Sequence, residues 1–220
     1  IGIDIGSTCA KTVVLNEKKE LILEFVQPTG WSSVDTAEEI RQKLEFAGIN
    51  LSNESSHCVA TGYGRISVPY ADKTVTEITC HALGAVHLFQ HPDLTVIDIG
   101  GQDTKIIQIE QGFVKDFIMN DKCAAGTGRF LEVMANTLSL RPNEMFDLAR
   151  LGSDTTISSM CTVFAESEVI GLIGKGEPKE NIAYAVVNST IRKVAAQVSR
   201  MNGEMFTFCL TGGLCECDYI

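Results

Sequence analysis

The sequence predicts an α/β protein built from two similar subdomains. The tetrapeptide Ile-Asp-Ile-Gly occurs twice, at residues 3–6 and 97–100. A lysine follows the glycine by five residues in each copy, so Lys11 and Lys105 are also separated by 94 residues. A further strand-like segment comes next in both copies. Because a repeat of strand, glycine turn, strand and strand indicates a duplicated unit, we predict subdomains at residues 1–93 and 94–220.

The elements of the first subdomain follow from short apolar runs and one amphipathic pattern. Runs of β-branched residues bounded by turn residues predict strands. These strands lie at residues 1–6, 11–15, 21–26 and 56–60. Ala37, Ile40 and Leu44 share one face of a helical repeat, which predicts a helix over residues 35–46. A second helix is predicted over residues 77–89, after a loop with two glycines.

The second subdomain opens with its copy of the strands, the third at residues 113–119, and then becomes mostly helical. A glycine turn after Cys123 begins a helix with Phe130 and Met134 on its apolar face. Further elements are predicted as helices over residues 142–151, 163–173 and 178–201, a polar loop at 153–160 and a strand at 206–210. The chain starts without Met and stops soon after a Thr-Gly-Gly turn, so we expect terminal segments to be missing.

The composition argues against two classes of function. A formal charge of −10 disfavours nucleic-acid binding, because contact with phosphates needs a basic face. No run of 18 or more apolar residues occurs, so we predict no membrane association. Eight cysteines without a signal peptide indicate reduced thiols, some of them used for metal. We therefore expect a cytoplasmic protein.

The two Ile-Asp-Ile-Gly turns have the chemistry of a nucleotide site. A carboxylate at the end of a buried strand can hold Mg²⁺ through water, and backbone N–H groups reach phosphate only where side chains are absent. The sequence has no Gly-x-x-x-x-Gly-Lys-Ser/Thr, and a hairpin follows the first strand where a dinucleotide fold needs a helix. The alternative is a pair of hairpins that share these residues for structural reasons alone.

This arrangement resembles the actin, sugar-kinase and Hsp70-type ATPase superfamily. Its members bind Mg-ATP in a cleft between two ribonuclease-H-like subdomains, on two phosphate hairpins and an adenosine turn. The resemblance places the first phosphate loop at Asp4, Gly6, Ser7, Thr8 and Lys11. It places the second at Asp98, Gly100, Gly101, Gln102 and Asp103, and the adenosine turn at Gly212 and Gly213. Gln102 and Asp98 are the catalytic candidates, since a glutamine can orient a hydrolytic water by hydrogen bonds.

Two cysteines are candidate metal ligands because each shortly precedes a predicted helix. The helix N-terminus stabilises a thiolate at Cys123 and at Cys161. A [4Fe–4S] centre takes four thiolates, so one cluster shared across a two-fold dimer is the economical arrangement. The glycine turn after Cys123 could otherwise hold a phosphate. The alternative for any single cysteine is a small buried hydrophobe, which we prefer for Cys9, Cys58, Cys80 and Cys209.

The motifs around these cysteines resemble those of a known family. Residues 120–130, Asn-Asp-Lys-Cys-Ala-Ala-Gly-Thr-Gly-Arg-Phe, and residues 161–168, Cys-Thr-Val-Phe-Ala-Glu-Ser-Glu, look like the activators of 2-hydroxyacyl-CoA dehydratases. That family also includes ATPase subunits of benzoyl-CoA reductase. The resemblance implies an ATP-dependent one-electron reductase with one [4Fe–4S] cluster, held by Cys123 and Cys161, at a homodimer interface. It implies a ferredoxin or flavodoxin as donor, and an iron–sulfur dehydratase or reductase as acceptor.

Two other functions remain open from the sequence. A small-molecule kinase of the same superfamily would need an acidic base in the cleft and no helix-capping cysteines. A non-catalytic nucleotide sensor would bind ATP without electron transfer. Within the leading class, an activator of a dehydratase and a benzoyl-CoA-reductase-type ATPase subunit would share all these motifs.

Overall fold

The computed structural model describes residues 1–53, 55–120, 122–158, 161–201, 207–217 and 219. Contacts between Cα atoms divide the chain into two compact units, Ile1–Gly84 and Ala85–Ile220. The division falls within a helix, and the boundary between residues 93 and 94 stays a prediction. No helix among the described residues combines the length and the apolar character that crossing a membrane requires.

The first unit is a five-stranded sheet packed against one helix. Its strands are β1 (Gly2–Ile5), β2 (Cys9–Leu15), β3 (Leu21–Pro28), β4 (Val59–Thr61) and β5 (Lys73–Thr74), in the order β3-β2-β1-β4-β5. The first three strands pair antiparallel, whereas β4 runs parallel to β1. Helix α1 (Ser33–Phe46) is capped by Ser32, whose hydroxyl accepts a hydrogen bond from the backbone N–H of Asp35. It buries Ile40 and Leu44 against Ile3 and Ile5 of β1.

The second unit is a four-stranded sheet with a layer of four helices. Helix α2 (Glu77–Phe89), which contains the division, has the predicted bounds. The strands are β6 (Leu94–Ile99), β7 (Thr104–Glu110), β8 (Phe113–Asn120) and β9 (Thr207–Thr211), in the order β8-β7-β6-β9. The helices are α3 (Gly128–Thr137), α4 (Pro142–Ala149), α5 (Thr162–Gly174) and α6 (Lys179–Val198). Asp121, the last two residues of the predicted polar loop (159–160) and Phe206 of the predicted last strand lie outside the described residues.

The C-terminal end of helix α4 differs from the prediction. The sequence predicts that the fourth helix runs to Leu151, but α4 ends at Ala149. Glycine is required at position 152, because a Cβ there would collide with the backbone carbonyl of Glu180 at the start of α6. This close approach lets α4 lie against α6, where Met145 and Phe146 join the buried core.

The sequence repeat is confirmed and extends further than the sequence shows. In the first hairpin Asp4 of β1 lies opposite Lys11 of β2, and in the second Asp98 of β6 lies opposite Lys105 of β7. The parallel neighbours also correspond, since β4 places Thr61 beside Asp4 and β9 places Thr211 beside Asp98. Each unit therefore carries an aspartate at the end of its central strand, flanked by a lysine and a Thr-Gly pair.

Candidate nucleotide and metal site

The first hairpin has a short turn whose backbone is fixed from both sides. The N–H of Gly6 donates to the carbonyl of Cys9 at 3.2 Å, which closes the turn. Thr29, at the end of β3, donates its hydroxyl to the Gly6 carbonyl at 2.7 Å and its N–H to the Thr8 carbonyl at 3.1 Å. Ser7 and Thr8 at the tip of the turn are exposed. The turn thus presents small hydroxyl-bearing residues to solvent on a rigid backbone.

A partly exposed ion pair lies at the base of this turn. Lys11 Nζ is 3.0 Å from Asp4 Oδ2, and the two side chains are 46% and 33% exposed. Both groups are therefore accessible to a ligand at the turn. A lysine can contact phosphate oxygens and a carboxylate can hold Mg²⁺.

The second hairpin holds a buried cluster of three charged side chains. Lys105 Nζ lies 2.8 Å from Asp103 Oδ1 and 3.4 Å from Asp98 Oδ2, and all three side chains are less than a tenth exposed. Thr211 donates its hydroxyl to the other oxygen of Asp98 at 3.1 Å. Two carboxylates and one ammonium carry a net charge of −1, and buried charge of this sign favours a cation nearby. Gln102, at the tip of the turn, is exposed.

Two glycines in left-handed backbone stand beside the two aspartates. Gly62 has φ of +85° and Gly212 has φ of +95°. A Cβ on Gly62 would collide with the Asp4 carboxylate and the Ile5 carbonyl, and a Cβ on Gly212 with the Ile99 carbonyl. Both the backbone angle and the close approach require glycine at these positions. Gly213 has open space around it and begins a short 3₁₀ helix.

The loop that carries Cys123 is bound directly to the second hairpin. The N–H groups of Gly128 and Arg129, in the first turn of α3, donate to the carbonyls of Gly100 and Gly101 at 2.9 and 2.7 Å. Thr104 donates its hydroxyl to the carbonyl of Gly126 at 2.6 Å. These N–H groups at the start of α3 are thus used inside the protein. This argues against the open alternative of a phosphate on the glycine turn at residues 126–128.

Of the two candidate ligand cysteines, only Cys161 lies at a helix N-terminus, because Cys123 stands in the loop before Thr127, the N-cap of α3. Cys161 is the N-cap of α5 and is exposed. Cys123 is half-buried, and its carbonyl accepts a hydrogen bond from the Asn120 amide at 2.9 Å. Both are free thiols, so the donor set suits a centre that takes two thiolates from each chain. Among the described residues, no group of three or more His, Cys, Asp or Glu side chains is placed to hold a metal ion.

The remaining cysteines include three whose surroundings raise the pKa of the thiol. Cys58 and Cys209 are buried, and burial raises the pKa of both thiols. Burial, and then the nearby Asp98 carboxylate, raise the pKa of Cys215. A raised pKa disfavours the thiolate, which is the form of cysteine that binds a metal. Cys9, predicted as buried, is half-buried at the start of β2.

Three residues that contact the predicted site residues or their turns were not predicted from the sequence. Thr29 and Thr104 fix turn carbonyls through their hydroxyls, and Lys193 of α6 contacts the Cys123 sulfur. Thr29 directly follows β3 and Thr104 begins β7, and a threonine at the end of a strand has no distinguishing pattern, so the sequence has no signal for either. The Thr-Gly dipeptides at 61–62 and 211–212 were a usable signal, because both follow short strands.

A family of known proteins matches this chain over its whole length. All 220 residues match the model of the BadF/BadG/BcrA/BcrD ATPase family. The chain belongs to this family. It is 42% identical to the (R)-2-hydroxyglutaryl-CoA dehydratase activating ATPase of Acidaminococcus fermentans, over 98% of this chain and 83% of that protein. It is 41% identical to the activator of lactoyl-CoA dehydratase from Anaerotignum propionicum, over 98% and 83% of the two chains.

A solved family structure confirms the predicted fold class. The activator of the 2-hydroxyisocaproyl-CoA dehydratase from Clostridium difficile, with bound ADPNP, superposes with a TM-score of 0.86 at 35% identity. The match covers 99% of this chain and 81% of that one. Membership of the family identifies the protein as an ATPase, and its relatives activate dehydratases.

Proposed function

We propose that this protein is an ATP-dependent one-electron reductase that activates an iron–sulfur partner enzyme, such as a 2-hydroxyacyl-CoA dehydratase. The observation that carries the proposal is the 42% identity, over nearly the whole chain, to an ATPase that activates such a dehydratase. The two hairpins support a nucleotide site, and Cys123 and Cys161 support a metal site, which are the two kinds of site that this activity needs. An ATPase subunit of the benzoyl-CoA reductase type is the closest alternative, because the family includes both.

ATP is proposed to use the turns of both hairpins. Backbone N–H groups and hydroxyls at Ser7 and Thr8 suit one set of phosphate oxygens, and the N–H of Gly101 suits another. Gly6 and Gly100 use their own N–H groups inside the turns and are proposed to let phosphate approach because they carry no side chain. Lys11 adds a cation. The carboxylates of Asp4, Asp98 and Asp103 suit Mg²⁺ through water, and the exposed amide of Gln102 suits an attacking water. Gly212 and Gly213 are proposed to approach the adenosine.

The iron–sulfur centre is proposed to be one [4Fe–4S] cluster, held by Cys123 and Cys161 of each chain in a homodimer. When bound, such a cluster supplies reversible one-electron transfer. The electron would come from a ferredoxin or flavodoxin and pass to the iron–sulfur acceptor. The eight free thiols suit a reducing cytoplasm, where we propose that the protein works.

The contacts between the second hairpin and α3 support coupling of the two sites. The carbonyls of Gly100 and Gly101 hold the first turn of α3, and Thr104 holds the loop before it. A change in the hairpin on ATP binding or hydrolysis would therefore be transmitted to Cys123 through hydrogen bonds. Differential binding of roughly 5 kcal/mol between two states suffices to move a population from mostly one to mostly the other.

The test is purification without air, followed by iron analysis. The wild-type protein should be brown and contain about four irons per dimer. Cys123→Ser and Cys161→Ser should each be colourless and still bind ATP, because the hairpins are unchanged. Cys80→Ser, a half-buried thiol of α2, and Cys215→Ser, an exposed thiol, are the matched controls and should stay brown. A colourless, folded wild-type dimer would contradict the proposal.

A further inference from the structure

A lysine of α6 is held against the sulfur of a proposed cluster ligand. Lys193 Nζ lies 3.7 Å from Cys123 Sγ, although 70 residues separate them in the chain. Lys193 is half-buried, which limits the screening of its charge by water. An ammonium group at this distance from a thiolate is a favourable electrostatic contact.

The Lys193 side chain lies against a glycine. Gly126 has φ of +87°, and a Cβ placed on it would lie 3.3 Å from Lys193 Cγ and 3.4 Å from Cδ. The aliphatic stem of Lys193 thus packs on the backbone of the turn that follows Cys123. The same glycine carbonyl accepts the Thr104 hydroxyl, so the lysine, the turn and the second hairpin form one packed set.

We propose that Lys193 raises the reduction potential of the centre that Cys123 helps to hold. The inference rests on the proposed function. One electron from a low-potential ferredoxin or flavodoxin adds one negative charge to the centre, and no bond forms or breaks at Lys193. A fixed positive charge beside a ligand sulfur stabilises the more negative, reduced form. Lys193 is a positioning residue in this account, because it acts through Cys123.

The experiment compares four anaerobically purified proteins: wild type, Lys193→Met, Lys193→Arg and Arg192→Met. Methionine keeps an unbranched stem against Gly126 and removes the charge, and arginine keeps the charge. Arg192→Met removes the same charge from the neighbouring exposed position of α6, so it controls for net charge. Each protein is titrated with dithionite in the presence of redox mediators, with the reduced centre followed by electron paramagnetic resonance. Iron content and ATP affinity are measured on the same samples.

In Lys193→Met we expect the ratio of reduced to oxidised centre to fall about tenfold at a fixed potential. For a one-electron couple, that fall corresponds to a shift of about 59 mV to more negative potential. Lys193→Arg and Arg192→Met should stay close to wild type, and all four proteins should bind ATP alike. If the role of Lys193 were merely structural, Lys193→Met and Lys193→Arg would have the same reduction potential at equal iron content.

Three results would overturn the inference. The first is that Lys193→Met, at full iron content, has a reduction potential equal to that of Arg192→Met or more positive. If Lys193→Met does not retain iron, Lys193→Gln is measured in its place. The second is that Lys193→Met and Lys193→Gln both lose iron while Lys193→Arg keeps it. The positive charge would then be necessary for iron retention and not for setting the reduction potential. The third is a colourless wild type, which overturns the proposed function as well.

Discussion

At the scale of single residues, the two repeat-related ion pairs have the same sequence spacing and different burial. Lys11 and Asp4 are partly exposed, whereas Lys105 is enclosed with Asp98 and Asp103. We expect Lys105→Met to lower the free energy of unfolding by about 3–5 kcal/mol, because it removes the ammonium group that pairs with two buried carboxylates. Lys11→Met, the matched control, should cost about 0–1 kcal/mol. Urea unfolding of both variants measures the difference. Equal losses of unfolding free energy would show that the buried and the exposed ion pairs contribute equally to stability.

The spacing of these residues was predictable from the sequence, but their burial was not. The Ile-Asp-Ile-Gly repeat and the lysine that follows it predict the register of both hairpins. Burial depends on what lies beside each hairpin, and Thr211 and the start of α3 reach the second one from far along the chain. No local pattern near Lys105 encodes these neighbours.

At the scale of elements, a buried hydrogen bond joins β7 to the turn before α3. Thr104→Val keeps the shape of the side chain and removes the donor to the Gly126 carbonyl. We expect a loss of about 1–3 kcal/mol in unfolding free energy, since the carbonyl is left without its partner. If the proposed coupling is correct, ATP changes the rate at which a chelator removes iron from the wild-type protein. In Thr104→Val we expect this effect of ATP to be at least twofold smaller.

The matched control for this variant is another buried threonine of the same sheet. Among the described residues, the Thr95 hydroxyl of β6 has no hydrogen-bond partner, so Thr95→Val should be neutral or stabilising. It should leave the effect of ATP on iron removal unchanged. The same response to ATP in Thr104→Val as in Thr95→Val would rule out this hydrogen bond as part of the coupling.

Elements with a long or periodic pattern were predicted better than short ones. Helix α2 has its predicted bounds, because its apolar positions recur over thirteen residues. Strand β5, two exposed residues long, was missed, and β4 is shorter than predicted because only Val59–Thr61 pairs with β1. Strands this short are defined by their partners and not by their own composition.

At the scale of the whole molecule, the second unit is an elaborated copy of the first. One helix, α1, lies between β3 and β4, whereas four helices, α3 to α6, lie between β8 and β9. This insertion hides the correspondence of Thr61-Gly62 with Thr211-Gly212 from a search at constant spacing. It also carries Cys123, Cys161 and Lys193, so the proposed redox function belongs to the inserted helices and the nucleotide function to the repeat.

The proposed homodimer depends on contacts between two chains, and a substitution in helix α5 can test it. The side chains of Val163 and Phe164, directly after Cys161, are 66% and 67% exposed in the single chain. If α5 borders the shared cluster, Phe164→Glu places a charge in an apolar interface, and we expect a monomer without colour. Phe113→Glu, at an exposed phenylalanine of β8, should remain a brown dimer. Size-exclusion chromatography with light scattering, run without air, measures both. A brown dimer for Phe164→Glu would place the cluster interface elsewhere on the protein.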